Sequence, residues 1–547
     1  MREKNKLQLP VKAALVLPEL HMDNLQFFHY LLVLMAGACV LTWLADRVAF
    51  PPALALLVGG CCAALFGGHS PEIDPGLVLA AVLPPLLMSS AFYTAWDDFQ
   101  REVGPIISLA LGAVMFTTVV VAAVVHAVNP SVPWSACFAL GAIVSPPDAV
   151  AAKAILQRNP LPSRLVTTLE GESLVNDASG LLLYQIAILS ASTANITLAK
   201  GGNLFLALIV IGVAVGALSG TVMTWLIARI EDVAIGITVT FIMAWASYAI
   251  AEEMGGSGVL SVVTCGLILG ISQHRIFGAS MRLKAKATWE AVEFILNSLV
   301  FILIGLALRG IMVRMHQQDS LLVAGLNMAI PTIIAAFVAR LVWVAVAMYV
   351  LEQLLKKTRM VRAWSLRESV ILVWAGMRGV VSLVAALALP NNFPARDLII
   401  FSSFALIIST LVIQGGTLSF LIRLVRIRPV RRQTMSELEA RSKTFNAALQ
   451  ELRVRRAGSE EAEDVALERL LDEYKVRVSN NERAHREGAE QVNVRARQLR
   501  LELDMVSVSR RELLKLKEAG RIDDAVLHRI EAELDFEELR LSRLMEP

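Results

Sequence analysis

The chain has few cysteines and few charged residues for its length. Its 547 residues include 5 cysteines, and 18% of the residues are charged. The cysteines show neither the spacing of metal ligands nor a secreted disulfide pattern, which excludes a zinc module and a disulfide-stapled secreted domain. Apolar residues are abundant instead: 56% of the chain is hydrophobic and the mean hydropathy is +0.59. This share is far above that of soluble proteins and predicts an integral membrane protein.

Long apolar runs recur through the first 430 residues. About thirteen of them approach the roughly 20 residues that a helix needs to cross a bilayer. They lie near 26–44, 50–66, 76–95, 103–127, 134–158, 163–192, 203–228, 233–252, 257–273, 287–312, 321–351, 364–390 and 396–425. Because backbone groups in lipid must be hydrogen-bonded internally, we predict an all-α polytopic bundle.

Lys and Arg are distributed unevenly between the loops. Alternate loops on one side contain twenty of them, and those on the other side, leaving the N-terminus aside, contain four. By the positive-inside bias, we expect a protein of the inner (plasma) membrane with a cytoplasmic C-terminus. The basic residues within 1–21 fit this topology poorly, so we treat 1–21 as an N-terminal extension with Met22 as an alternative start. The transmembrane domain is then predicted to be 22–430.

The composition changes abruptly after Val430. Residues 431–547 are charged, with leucines at helical spacing and Gly-containing breaks near 456–460 and 518–521. We expect a cytoplasmic helical tail. This tail could bind a partner, a membrane surface or a second copy of itself; the alternative is that its helices are merely solvated.

The run from about Leu165 to Ala191 is long enough to cross a bilayer, yet it contains carboxylates. A charged side chain near the bilayer centre costs roughly 2.5–3.5 kcal/mol. At helical spacing, Ser173 and Asp177 form one polar row and Glu172 and Asn176 form the next. Such deep carboxylates usually mark an ion or proton path, and a structural ion pair is the alternative.

Two predicted spans are interrupted in mid-membrane. The fifth contains Ser145-Pro146-Pro147-Asp148, whose prolines remove two backbone donors, and the twelfth contains Gly376-Met377-Arg378-Gly379. Breaks at matched positions of two halves indicate two inverted six-helix repeats, joined by one extra helix, with the broken helices crossing at a binding site. There, Asp148 would offset positive helix ends and Arg378 negative ones.

Seven motifs, taken in order, carry a family resemblance over roughly 22–430. They are Leu83-Pro84-Pro85-Leu86-Leu87, the runs 145–151, 171–178 and 293–301 with Gly305, Ala339-Arg340, Gly376-Met377-Arg378-Gly379, and Gln414-Gly415-Gly416-Thr417. Together they resemble the sodium–proton exchangers and bacterial NhaP-type antiporters of the monovalent cation–proton antiporter superfamily. The resemblance implies exchange of Na⁺, K⁺ or Li⁺ for H⁺, a role in pH homeostasis, and a homodimer whose mobile core domains move against dimerisation domains.

The resemblance also implies roles for individual residues. Asp177 resembles the carboxylate that binds either the cation or a proton, and Ser173 resembles a hydroxyl ligand. Asn176 resembles the asparagine of the electroneutral exchangers, and the carbonyl of Pro147 a ligand from the unwound stretch. The predicted cation and proton site is therefore Asp177, Ser173, Asn176, Pro147 and Asp148, with Asp177 and Ser173 as metal ligands.

Glu172 resembles an acid that forms a buried ion pair with Arg340. Two departures from the family pattern stand out. Pro147 replaces the usual Thr, and Met88-Ser89-Ser90 follows the first Pro-Pro-Leu-Leu motif where the family tends to carry an acid. The missing acid leaves the counter-charge of Arg378 open.

Exchange also follows from the chemistry of one buried acid. Burial disfavours the charged form of a carboxylate, so a single acid can bind a proton or a metal ion but not both. Alternating exposure of Asp177 then gives electroneutral 1:1 counter-transport. We predict no enzyme activity, no cofactor and no nucleic-acid partner; the ligands are the transported ions, in a protein embedded in the lipid bilayer.

Two other functions are alternatives. A cation channel built on the same helices would pass current. A rhomboid-like intramembrane serine protease would use Ser257 in Gly255-Gly256-Ser257-Gly258, with His274 17 residues later. The lack of a Walker A motif argues against ATP-driven transport.

Overall fold

The chain forms two compact helical units, Met1–Val430 and Arg431–Pro547. The structure is a computed structural model, and it describes residues 24–48, 50–65, 75–148, 161–192, 198–316, 319–358, 364–427, 437–457, 464–486, 489–519, 521 and 524–545. Every regular element in these residues is a helix. Met22, the extension 1–21 and the stretch after Asp148 lie outside them.

The first unit is a bundle of helices that are largely apolar, except for the short charged α4. They are α1 (Asn24–Arg47), α2 (Pro52–Leu65), α3 (Pro75–Phe92), α4 (Trp96–Arg101), α5 (Val103–Val128), α6 (Trp134–Val144), α7 (Ser163–Ser192), α8 (Leu198–Ile227), α9 (Val233–Glu253), α10 (Gly258–Ile276), α11 (Ala279–His316), α12 (Asp319–Thr358), α13 (Leu366–Trp374), α14 (Val380–Leu387) and α15 (Arg396–Val425).

The all-α polytopic class predicted from hydropathy is confirmed. In the described residues, 9 helices are long and apolar enough to cross a membrane, with shorter apolar helices at Pro52–Ala64, Leu79–Phe92 and Trp134–Val144. Each predicted run overlaps at least one described helix, and the run 364–390 overlaps two half-helices. Of the fifth run, 134–158, the part after Asp148 lies outside the described residues. The span count of about thirteen and the inverted repeats stay predictions.

Both expected helix breaks are present. Helix α6 ends at Val144, and the chain is non-helical from Ser145 to Asp148. The second break separates α13 from α14. A capping box at Ser365 and Glu368, in which each residue bonds the other's backbone N–H, fixes the start of α13.

Two π-helical turns interrupt α5 and α15, at Ser108–Ala113 and Thr410–Gly415. A π turn frees backbone groups from the regular helical pattern and often occurs at functional sites. In α5, the indole Nε1 of Trp343 donates to the carbonyl of Ser108 at 3.0 Å. In α15, Thr410 faces the second break, as described below.

The second unit consists of four helices in two contacting pairs. They are α16 (Glu437–Ala457), α17 (Asp464–Arg486), α18 (Ala489–Glu518) and α19 (Asp524–Met545). One pair buries Leu449, Leu471 and Val478, and the other buries Leu499, Val506 and Leu541. The two predicted breaks fall between paired helices; the boundary between α17 and α18 contains Gly488, a sequence signal that we did not use.

Candidate cation site

The polar face of α7 is divided between protein and cavity. Glu172 and Asn176 are fully buried, with exposed fractions of 1% and 0%. Ser173 and Asp177, one row further round the helix, are half-buried and line a cavity. The two rows expected from helical spacing therefore face different surroundings: one faces packed protein and the other faces space in which an ion can bind.

The cavity has a volume of about 640 Å³ including its open mouth. Its walls come from α3, α7, α11, α14 and the first break, and they are mostly apolar, with polar groups contributed by Ser90, Asp148, Ser173, Asp177 and Asn297. Two carboxylates and three neutral side chains with oxygen atoms thus line one otherwise apolar cavity. Hard cations prefer oxygen ligands of this type.

Asn176 connects α7 to the first break. Its Nδ2 donates to the carbonyl of Pro147 at 2.6 Å, and among the described residues its Oδ1 has no hydrogen-bond partner. Asn176 does not line the cavity, so its contact is with the unwound backbone and not with the space beside Asp177. The Pro147 carbonyl keeps a second lone pair, because a carbonyl oxygen accepts two hydrogen bonds.

The two breaks touch through Asp148. Its backbone N–H donates to the carbonyl of Met377 at 2.7 Å. Its carboxylate lies against Gly379, where an added Cβ would be 1.6 Å from Oδ2. Gly379 immediately precedes α14, so the Asp148 carboxylate lies at the N-terminal end of a half-helix, where the free N–H groups favour negative charge.

Glu172 and Arg340 form a bidentate buried ion pair. The distances are 2.6 Å from Nη1 to Oε1 and 3.0 Å from Nη2 to Oε2. Nε and Nη2 of Arg340 also donate to the carbonyl of Leu372, at 3.1 and 2.9 Å. Leu372 lies in the last turn of α13, whose carbonyls have no partner within the helix. Arg340 therefore joins α7, α12 and the end of α13, and Gly376 leaves room for its guanidinium.

Arg378 is buried beside this pair. Its exposed fraction is 2%, its backbone N–H donates to Oγ1 of Thr410 at 3.1 Å, and its Nη1 has no hydrogen-bond partner among the described residues. It lies within electrostatic range of Arg340 and Glu172. That Arg378 offsets the negative ends of the broken helices stays a prediction; the Leu372 carbonyl at the end of α13 accepts its two hydrogen bonds from Arg340. Glu172 is thus a nearby negative charge for both arginines.

Three further residues, Thr118, Glu102 and Trp364, make specific contacts in the first unit and had no sequence signal that we used. The Thr118 hydroxyl lies 3.1 Å from the Ser145 hydroxyl at the first break. Glu102 accepts from Nε of Arg164 at 2.8 Å, and the same guanidinium lies 4.6 Å from the ring centre of Trp364. Arg164 is one of the loop arginines from which the topology was predicted, and in the structure its side chain is largely buried.

The geometry does not support the protease alternative. Ser257 caps α10, with its hydroxyl accepting from the backbone N–H of Leu260 at 3.3 Å. His274 is in the last turn of the same helix. Sixteen to seventeen residues of helix separate the two side chains by about 25 Å, so they cannot form a catalytic dyad.

Comparisons with known proteins agree on one family. The family described as "Sodium/hydrogen exchanger, transmembrane" matches residues 33–424. The chain is 31% identical over 525 residues to the Na⁺/H⁺ exchanger YjcE of Escherichia coli, covering 90% of this chain and 94% of that protein. It is 29% identical over 542 residues to a sodium, potassium, lithium and rubidium/H⁺ antiporter of Bacillus pumilus, covering 94% and 78%.

The fold has a match among solved structures. The sodium proton antiporter MjNhaP1 of Methanocaldococcus jannaschii matches with a TM-score of 0.60 at 16% identity, covering 74% of this chain and all of that one. At this identity the likeness concerns the fold alone. The family match over most of the transmembrane unit is the stronger finding, and by it the chain belongs to the sodium/hydrogen exchanger family.

Proposed function

We propose that this protein exchanges Na⁺, K⁺ or Li⁺ for H⁺ across the plasma membrane, with Asp177 as the carboxylate shared by cation and proton. The observation that carries the proposal is the placement of Asp177 and Ser173 in the cavity where the two helix breaks meet. Cation–proton exchange is the activity of the family, and the Bacillus pumilus relative is named for several alkali cations.

In this proposal, Asp177 and Ser173 bind the cation directly. Asp148 and the free lone pair of the Pro147 carbonyl complete the oxygen ligands from the first break. Asn176 acts by holding the Pro147 carbonyl in place through its 2.6 Å hydrogen bond. The cavity's apolar walls keep the number of competing water molecules small, which strengthens the electrostatic interaction between cation and carboxylate.

Coupling follows from the charges around the site. Asn176 does not titrate, and Glu172 is neutralised by Arg340 at 2.6 Å. Asp177 then takes up either one H⁺ or one monovalent cation, and alternating access carries one charge in each direction. The cycle is electroneutral with a 1:1 ratio, and we propose that it serves pH homeostasis.

Orientation and assembly extend the same proposal. The excess of Lys and Arg on alternate loops supports a cytoplasmic C-terminal tail beginning near 431. We further propose a homodimer in which each protomer transports independently and a core containing α6, α7, α13 and α14 moves against the rest.

The test is Asp177→Asn in proteoliposomes containing a pH-sensitive dye. An amide keeps the shape of the side chain but neither titrates nor neutralises a cation, so Na⁺-driven proton flux should fall to the level of empty liposomes. Asp98→Asn is the control: it makes the same chemical change at an acid that pairs with the exposed Arg101, and it should keep wild-type flux. Coupled flux through well-folded Asp177→Asn protein would overturn the proposal, and Na⁺ current without proton flux would favour a channel.

A further inference from the structure

The membrane helix α11 carries an acid, Glu293, close to residues that line the same cavity. Glu290, Glu293 and Asn297 occupy successive turns of one face of α11. Glu290 is an exposed partner of Lys286 at 3.7 Å, Glu293 is half-buried, and Asn297 lines the cavity that contains Asp177. Polar side chains therefore follow one another along this face of α11, from the exposed Glu290 to Asn297 at the cavity.

Glu293 contacts α3 beside the cavity. Its Oε2 accepts a hydrogen bond from the Ser89 hydroxyl at 3.3 Å, and the next residue, Ser90, lines the cavity. Asn297 is one turn further along α11, so its side chain is about 6 Å from that of Glu293. Glu293 is thus at the rim of the cavity, between α3 and α11.

A hydroxyl does not neutralise a carboxylate. Among the described residues, no Lys, Arg or His forms an ion pair with Glu293, in contrast to Glu172 and Glu102. A charge within an apolar helix is costly, roughly 2.5–3.5 kcal/mol near the bilayer centre, and is retained where it faces water or an ion path. A hydrogen bond that only joined α3 to α11 would not need a charged group.

The end of α11 nearer to Glu293 carries Arg282, Lys284 and Lys286. By the positive-inside bias this is the cytoplasmic end. Glu293 lies about 21 Å along the helix from Ala279, and Asn297 and Asp177 lie beyond it. A cation entering from the cytoplasm would meet Glu293 before it reached Asp177.

We propose that Glu293 attracts cations to the cytoplasmic entrance of the Asp177 cavity, and that its charge sets the apparent affinity for monovalent cations presented from that side. The inference rests on the proposed exchange at Asp177. Glu293 is not required for coupling, since Asp177 alone carries the exchanged ions. One partly solvated charge about 6 Å from a cation corresponds to an affinity change of about fivefold to tenfold.

The experiment compares KM for Na⁺ on the two faces of the membrane. Everted vesicles present the cytoplasmic face, and right-side-out vesicles present the other. Glu293→Gln keeps an oxygen that accepts from Ser89 but removes the charge; it should raise KM about fivefold to tenfold in everted vesicles, with an unchanged maximal rate and an unchanged KM in right-side-out vesicles. Glu293→Asp should give a KM between those of wild type and Glu293→Gln.

Two controls separate charge from packing. Ser89→Ala removes the hydrogen bond and keeps the charge, so its KM should stay near that of wild type. Glu290→Gln, further from the cavity, should change KM less than twofold. Equal shifts for Ser89→Ala and Glu293→Gln, a wild-type KM in Glu293→Gln, or a shift of the same size on both faces would each overturn the inference while leaving exchange at Asp177 intact. Loss of the proposed function itself would show instead as flux through Asp177→Asn.

Discussion

Removal of Arg340 should destabilise the transmembrane unit more than removal of an exposed arginine. In Arg340→Ala, the Glu172 carboxylate loses both hydrogen bonds of the bidentate pair while its exposed fraction is 1%. The Leu372 carbonyl loses two donors at the end of α13. Breaking one side of a buried ion pair costs about 3–5 kcal/mol. The positive charge of the nearby Arg378 offsets part of this cost, so we expect about 3 kcal/mol.

The assay is thermal unfolding of detergent-purified protein, followed by intrinsic tryptophan fluorescence. Unfolding entropy scales with chain length, and for a unit of this size 3 kcal/mol corresponds to a fall in Tm of about 3 °C. Arg101→Ala is the matched control, because Arg101 is 60% exposed and 3.7 Å from Asp98. An exposed pair of this kind contributes about 1 kcal/mol or less.

A double variant tests whether the cost arises from an unpaired charge. Glu172→Gln combined with Arg340→Ala removes both charges, so the double variant should be more stable than Arg340→Ala alone. A wild-type Tm in Arg340→Ala would refute the reasoning. So would a double variant in which the losses of the two single variants simply add, since charges that do not interact would behave in that way.

Three further changes have specific expected outcomes. Gly379→Ala places a Cβ 1.6 Å from Oδ2 of Asp148, so the carboxylate must move and KM for Na⁺ in vesicle flux assays should rise at least about tenfold; an unchanged KM would remove Asp148 from the site. Asn176→Asp, when ionised, has no donor for the Pro147 carbonyl, and we expect the free energy of unfolding to fall by about 1–3 kcal/mol with slower exchange, measured by thermal unfolding and flux on the same preparation. Leu471→Ala, at a position with 3% exposure, should destabilise the tail by about 2–4 kcal/mol, seen as faster hydrogen exchange in α16 and α17 with wild-type flux. Unchanged hydrogen exchange in these helices would contradict the burial of Leu471.

Hydropathy and proline placement predicted much of the fold. A membrane helix has to be apolar over most of its length, so the positions of the long apolar helices could be read from local composition, whereas the short charged α4 could not. Pro146 and Pro147 remove backbone donors from one short stretch, and α6 ends just before them, at Val144. Apolar length and proline placement are properties of residues that are neighbours in the chain, so both features could be recognised from the sequence.

The direction of each polar row could not be predicted. Helical spacing placed Ser173 with Asp177 and Glu172 with Asn176, but it does not say which row meets a cavity and which meets packed protein. That choice depends on α3, α11 and α14, which are distant in sequence from α7. For the same reason, the sequence could not show that Arg340 donates to the Leu372 carbonyl. That contact depends on how α12 passes the end of α13.

Other parts of the structure carry no local signal. The π turns at Ser108–Ala113 and Thr410–Gly415 contain residues that also fit a regular helix, and they accompany contacts from Trp343 and Arg378 in other segments. The hydrogen bond between Ser89 and Glu293 joins residues 204 positions apart. An acid in an apolar run suggests function, but its partner and its distance from a cavity depend on tertiary packing.

Steady-state proton gradients at clamped membrane potential test most directly whether a single carboxylate, Asp177, carries either one cation or one proton. Wild-type protein is reconstituted in liposomes whose potential is set by K⁺ and valinomycin, and the gradient is driven by Na⁺ or Li⁺ so that K⁺ does not interfere. We expect the same initial rate and the same final gradient at zero and at strongly negative potential. A final gradient that shifts with potential would contradict electroneutral exchange and would indicate a second titrating group, for which Asp148 in the same cavity is the first candidate.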